Sequence, residues 1–173
     1  MADTVYIPSE VTGKKEKYEL LLPQIQALVD GEHDLIANLS NIMAALKYGM
    51  NFFWVGIYFV KTPLETKQHH EKELVLGPFQ GPVACVRIAF GKGVCGTCWE
   101  KEETIIVPDV EKFPGHIACN ADSKSEIVIP VFMNGTVKAV LDVDSNKPSD
   151  FDEVDAFYLK KITNLVENLL WKQ

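Results

Sequence analysis

The sequence predicts an α+β domain in which helices at both ends pack against a central, mainly antiparallel sheet. Two observations carry this: apolar residues recur at helical spacing near each terminus, and six short strand-like runs lie between them. A third is size. With 173 residues, 47% of them hydrophobic and 24% charged, the chain has room for one filled core, read as a single domain over 1–173 with a flexible segment at 1–13.

The first helix is expected over Lys15–Val29, where Tyr18, Leu21, Leu22, Ile25 and Leu28 share a face and Pro23 marks a kink or boundary. The second, Asp34–Tyr48, repeats the pattern, with Gly49 suited to its C-terminal cap. Phe52–Val60 reads as a strand, 61–72 as a long exposed hairpin loop carrying His69 and His70, and Glu73–Leu76 as the returning strand. Val83–Phe90 alternates as a strand, with Ala84, Val86, Ile88 and Phe90 on one face and Cys85 and Arg87 on the other. Gly91-Lys92-Gly93 reads as a turn, since it lacks the full phosphate-loop pattern. A short helix follows over Val94–Lys101, then a strand over Thr104–Val107. The segment 109–124 has no clean period, as suits a functional lid. Strands Ser125–Phe132 and Thr136–Asp144 close the sheet. Ser149 is expected to cap a final amphipathic helix with Phe151, Val154, Tyr158, Ile162, Leu165 and Leu169 as its apolar stripe.

Composition also excludes. A net charge of −7 with acids spread along the chain argues against nucleic acid and anionic membranes as partners. The longest apolar run is too short to span a bilayer, and the N-terminus lacks a signal-peptide stretch, so a cytoplasmic protein is expected. In that compartment Cys85, Cys95, Cys98 and Cys119 are candidates for catalytic, metal-binding or merely buried thiols. Cys95-x-x-Cys98 could be a redox pair or half a zinc site, but no second pair completes a cage. His116 near Cys119 could suggest a Cys-His hydrolase, against an ordinary loop histidine.

The last hairpin is informative. Ile127, Ile129 and Val131 must meet the same core as Val137, Ala139, Leu141 and Val143. A three-residue loop of Met133, Asn134 and Gly135, with Gly135 left-handed in a bulged turn, keeps them together and sets Glu126 opposite Asp142. Asp144 follows on the same face. Three crowded carboxylates are either solvated or covered. If covered, repulsion and desolvation raise at least one pKa and leave a general acid near neutrality, while the others can hold an ammonium.

The runs GPFQGPVAC (77–85), CVRIAFGKGVCG (85–96), VPDV (107–110), FPGHIACNADSKSEIVIPV (113–131) and LDVDS (141–145) resemble the free methionine-(R)-sulfoxide reductases, which are built on a GAF fold. The similarity covers roughly Asn51 to the C-terminus; Cys98 lies outside the family pattern and the 61–72 loop is longer than usual. The resemblance implies that Cys119 attacks the sulfoxide sulfur to give a sulfenic acid. It implies that Cys85 resolves this to a disulfide reduced by thioredoxin, with Cys95 an alternative partner. Glu126, Asp142 and Asp144 match acids of the substrate site, and Trp54 an aromatic packed on the methylthio end. No bound cofactor or metal is implied, and a homodimer is. The rival reading is a GAF sensor that binds a small molecule without turnover.

Overall fold

A computed structural model describes residues 5–62, 72–116 and 120–171. The elements in order are α1 (Lys14–Val29), α2 (Leu35–Met50), β1 (Trp54–Lys61), β2 (Glu73–Gln80), β3 (Arg87–Ala89), α3 (Gly93–Lys101), β4 (Ile105–Val107), a 3-10 turn (Val110–Lys112), β5 (Ser125–Met133), β6 (Thr136–Ser145) and α4 (Glu153–Leu170). The strands form one antiparallel sheet in the order β3-β2-β1-β6-β5-β4. Its two faces carry separate cores. α1, α2 and α4 cover one, burying Val55, Ile57, Ile127, Ile129, Leu141 and Val143. α3 and irregular chain cover the other, over Trp54, Tyr58, Val128 and Val140. No helix among the described residues is long and apolar enough to cross a membrane.

Several expected boundaries shift for identifiable reasons. Pro23 sits inside α1 without ending it. α2 runs past Gly49, and its left-handed cap is Asn51 (φ 59°). Gly49 serves packing: a Cβ there would stand 2.8 Å from Leu21 Cδ1 of α1. Ser149 does not cap α4. Asp152 does, accepting from the amides of Val154 and Asp155, while the Asp155 carboxylate accepts from the Asp152 amide to complete a capping box. β2 continues through Gly77-Pro78 because β1 and β2 slip register between Gly56 and Tyr58, and a bulge tolerates a proline with no amide to donate. β1 and β2 pair antiparallel as expected, but the loop between them, with His69 and His70, falls outside the described residues.

The expected strand 83–90 contracts to Arg87–Ala89. The Trp54 indole donates to the Pro82 carbonyl (3.0 Å) and the Tyr58 hydroxyl to that of Cys85 (3.0 Å), taking acceptors a strand would offer its neighbour. Val83, Val86 and Phe90 consequently face solvent, and of the alternating set only Ile88 is buried.

The β5–β6 register also differs from expectation. Asn134 and Gly135 are both left-handed (φ 55° and 69°), and Met133 pairs with Thr136, so the turn has two residues. The bulge lies further in, where Val131 pairs with Ala139 and Phe132 with Val137, leaving Lys138 extra on β6. Beyond it Glu126 pairs with Asp144, and Asp142 with Val128. The extra residue restores the odd-numbered core of Ala139, Leu141 and Val143 but sends Val137 to the opposite face.

The two ends of the chain are joined. Asp155 is 1% exposed; it accepts from the Tyr18 hydroxyl (2.8 Å) and pairs with the Lys14 ammonium. Tyr18 stacks on Tyr158 with ring centroids 5.0 Å apart. The Asp155→Ala variant strands the buried Tyr18 hydroxyl, the half-buried Lys14 ammonium and half of a capping box. It is expected to lose about 2–3 kcal/mol of unfolding free energy in urea denaturation, as is typical when one member of a buried polar set is removed.

Candidate active site

The carboxylates predicted to crowd one face do so, and the face is covered. Across adjacent strands Glu126 of β5, Asp144 of β6 and Trp54 of β1 form one row, and Val128, Asp142 and Gly56 the next. Helix α3 lies above, and its Cys95 thiol sits 3.9 Å from Glu126 Oε1. The irregular stretch 81–86 and the segment around Asn120–Ser123 close the remaining sides of a cavity. Phe53, Trp54, Tyr58 and Ala84 form its apolar wall, the exposed Val83 stands at its rim, and Glu126, Asp142 and Asp144 form its acidic end. No lysine or arginine lines it among the described residues.

Burial dominates the electrostatics. Glu126 and Asp142 are each 6% exposed. Desolvation pushes both carboxyls well above the usual range, and the neighbouring Asp142 and Asp144 charges push Glu126 further. Asp144 is raised to about 6, again by burial, offset by a hydrogen bond from Ser123. The site thus holds acids of unequal strength: a protonated Glu126 beside an Asp144 that ionises below neutrality. Burial and the adjacent acids also push the Cys95 thiol up, so it carries little thiolate at rest. The His116 ring is held below its ordinary pKa by burial, and its Nδ1 has no hydrogen-bond partner among the described residues.

Trp54 lies 4% exposed with its ring stacked on Phe79 (centroids 5.5 Å apart) and on Tyr58 (6.1 Å). Gly56 makes this possible, because a Cβ there would come within 2.3 Å of the indole. Cys85 is disulfide-bonded, while Cys95 and Cys98 are buried free thiols. Cys98 points away from the acids, toward the Val128 carbonyl (3.6 Å). Cys119 lies outside the described residues. Sequence reasoning missed Tyr58 and Ser123. Tyr58 was recoverable, since it shares the Trp54 face of β1 at even spacing; Ser123 carries no such signal.

A model of the GAF domain matches residues 32–170. The chain is similar to GAF domain-containing protein A of Dictyostelium discoideum, at 59% identity over 90% of this chain and 94% of that one. It is 42% identical to the free methionine-R-sulfoxide reductase of Saccharomyces cerevisiae over 95% and 91% of the two chains. The solved structure of the free methionine-R-sulfoxide reductase of Neisseria meningitidis, in complex with its substrate, superposes with a TM-score of 0.90 at 44% identity, covering 99% and 97%.

The buried acids make a stability prediction. A carboxyl whose folded pKa lies above its unfolded value binds its proton more tightly when folded. Its contribution is therefore greatest below the unfolded pKa of about 3.9 and is lost as pH rises to the folded value. For Asp144 that window runs from about 4 up to about 6. Asp144→Asn removes the penalty, so the variant is expected to be more stable than wild type by roughly 1–3 kcal/mol at pH 7.5 and to lose that advantage at pH 4. Paired thermal melts at the two pH values check this.

Proposed function

The chain belongs to the GAF-domain family of free methionine-R-sulfoxide reductases, and on that premise we propose that this oxidoreductase converts free L-methionine-(R)-sulfoxide to L-methionine with its own thiols. The observation that carries the proposal is the covered acidic end facing an aromatic wall, with a disulfide-bonded cysteine, Cys85, beside that wall. Free methionine sulfoxide is an ammonium and a carboxylate joined to an apolar methylsulfinyl arm. The acids suit the ammonium, and Trp54 with Tyr58 suits the methyl end.

The chemistry follows from the protonation states. A sulfoxide oxygen leaves poorly until protonated, and Glu126, kept neutral by burial, is the group to protonate it. Cys119 attacks as thiolate at the sulfoxide sulfur. The S–O bond breaks, the oxygen passes to Cys119 as a sulfenic acid with the proton from Glu126, and methionine leaves with its sulfur reduced by two electrons. The Cys85 thiol then displaces water from the sulfenic acid to form a Cys85–Cys119 disulfide. The family resemblance names Cys119 as the partner of Cys85, and the disulfide-bonded state of Cys85 beside free Cys95 and Cys98 supports that reading. A dithiol reductant, thioredoxin in this reading, takes over the disulfide and returns two thiols. Cys95 beside Glu126 is the alternative partner, its high pKa marking it as the reserve. Asp144, ionised above about pH 6, holds the substrate ammonium together with Asp142. The reading includes a cytoplasmic homodimer with no bound cofactor. Against a GAF sensor stands the disulfide beside the cavity, which ligand binding alone does not require.

The deciding experiment follows NADPH consumption through thioredoxin reductase and thioredoxin, with free R, free S and peptide-bound sulfoxide offered separately. Turnover is expected on the free R epimer alone, and none with Cys119→Ser. Glu126→Gln is expected to lower kcat by about 10²–10⁴, the worth of a placed general acid. Lack of turnover by folded, reduced wild type, with the sulfoxide still bound, would leave the sensor reading. As pH falls through about 6, Asp144 gains its proton and KM should rise while kcat holds.

A further inference from the structure

We propose that Cys95, Glu126 and Asp142 form a binding site for a thiophilic divalent cation, zinc being the biological case. The Cys95 sulfur and one oxygen from each acid all lie within 4.8 Å of one another. These donors come from α3, β5 and β6, which is why no spacing along the chain discloses them. All three are buried. Zinc bonds to sulfur at about 2.3 Å and to carboxylate oxygen at about 2.0–2.2 Å, so tetrahedral closure needs only about an ångström of side-chain movement.

An independent observation points to a ligand here. Asp142 is 6% exposed, it lines the cavity, and its Oδ1 has no hydrogen-bond partner among the described residues. A buried acceptor of this kind calls for a donor or a cation. No lysine or arginine on the cavity wall supplies one among the described residues. An ammonium would serve the carboxylates but gain nothing from the sulfur, and a hard cation such as magnesium would favour oxygens alone. A borderline-soft metal uses all three donors, with a fourth position open to the cavity. Binding releases the thiol proton and any proton held by the acids, leaving thiolate and carboxylates as ligands. In the reductase reading the metal also excludes the substrate ammonium and masks Glu126. That consequence rests on the reading; the metal site does not.

The test uses full-length protein in the state with Cys85 disulfide-bonded, where Cys95 and Cys98 are free thiols. Cadmium serves as a spectroscopic stand-in through its ultraviolet sulfur-to-metal band, and zinc is titrated against a chromophoric chelator. One cation per chain is expected, with a cadmium band absent from Cys95→Ser and retained in Cys98→Ser. Asp142→Asn and Glu126→Gln are each expected to weaken binding at least tenfold. Circular dichroism confirms that each variant is folded. Failure of wild type to bind either metal overturns the site, as does a band that survives Cys95→Ser or vanishes only in Cys98→Ser. Free methionine-(R)-sulfoxide is expected to weaken metal binding; metal affinity unchanged at saturating sulfoxide overturns the mutual exclusion. A protein that binds cadmium through Cys95 but reduces no sulfoxide would uphold the site and defeat the reductase reading alone.

Discussion

The antiparallel pairing of β5 with β6 is the constraint on which the site depends. Each strand places alternate residues on opposite faces, so the apolar side chains that must meet the helices force Glu126, Asp142 and Asp144 together onto the other face. Nothing local to those acids favours their proximity. Their repulsion and desolvation are borne by the odd-numbered core behind them, where Ile127, Ile129, Leu141 and Val143 are completely buried. Displacement of β6 by one residue would carry Asp142 and Asp144 into the helical core and Ala139, Leu141 and Val143 into the cavity, so the register that fills the core also builds the site.

The same sheet accommodates the aromatic wall by omission. Gly56 lies on the row beside Asp142, and the Trp54 indole occupies the space a side chain there would fill. The indole and the Tyr58 hydroxyl in turn hold the carbonyls of Pro82 and Cys85, so the stretch leading to the disulfide-bonded cysteine is tied to β1 instead of to a sheet neighbour. The wall of the cavity and the position of Cys85 are consequently parts of one hydrogen-bonded arrangement.

Periodicity made the helices, most strands and the two-faced character of the last hairpin legible, because burial imposes a regular pattern on sequence. What it missed were features decided by a few specific contacts. The Asn134-Gly135 pair signalled a two-residue turn, yet keeping the apolar faces in phase argued for three; a bulge at Lys138 reconciles the two, and no residue type announces it. Val83–Phe90 alternates like a strand, but the carbonyls of Pro82 just before it and of Cys85 within it go to Trp54 and Tyr58, which lie some thirty positions earlier. The capping of α4 passed from Ser149 to Asp152 because Asp155 could complete the box. The face on which the acids lie was legible; their partners across the ladder were not.

The link between Lys14, Tyr18 and Asp155 has a consequence for synthesis. A ribosome delivers α1 nearly 140 residues before the aspartate that anchors it, and the stacking partner Tyr158 emerges later still. Until α4 has emerged, the first helix therefore lacks its native polar and aromatic partners, and the sheet lacks α4. Folding of the whole domain awaits α4, and all four cysteines are translated before it. A chain truncated before α4 would present those thiols unprotected to whatever oxidant its surroundings contain.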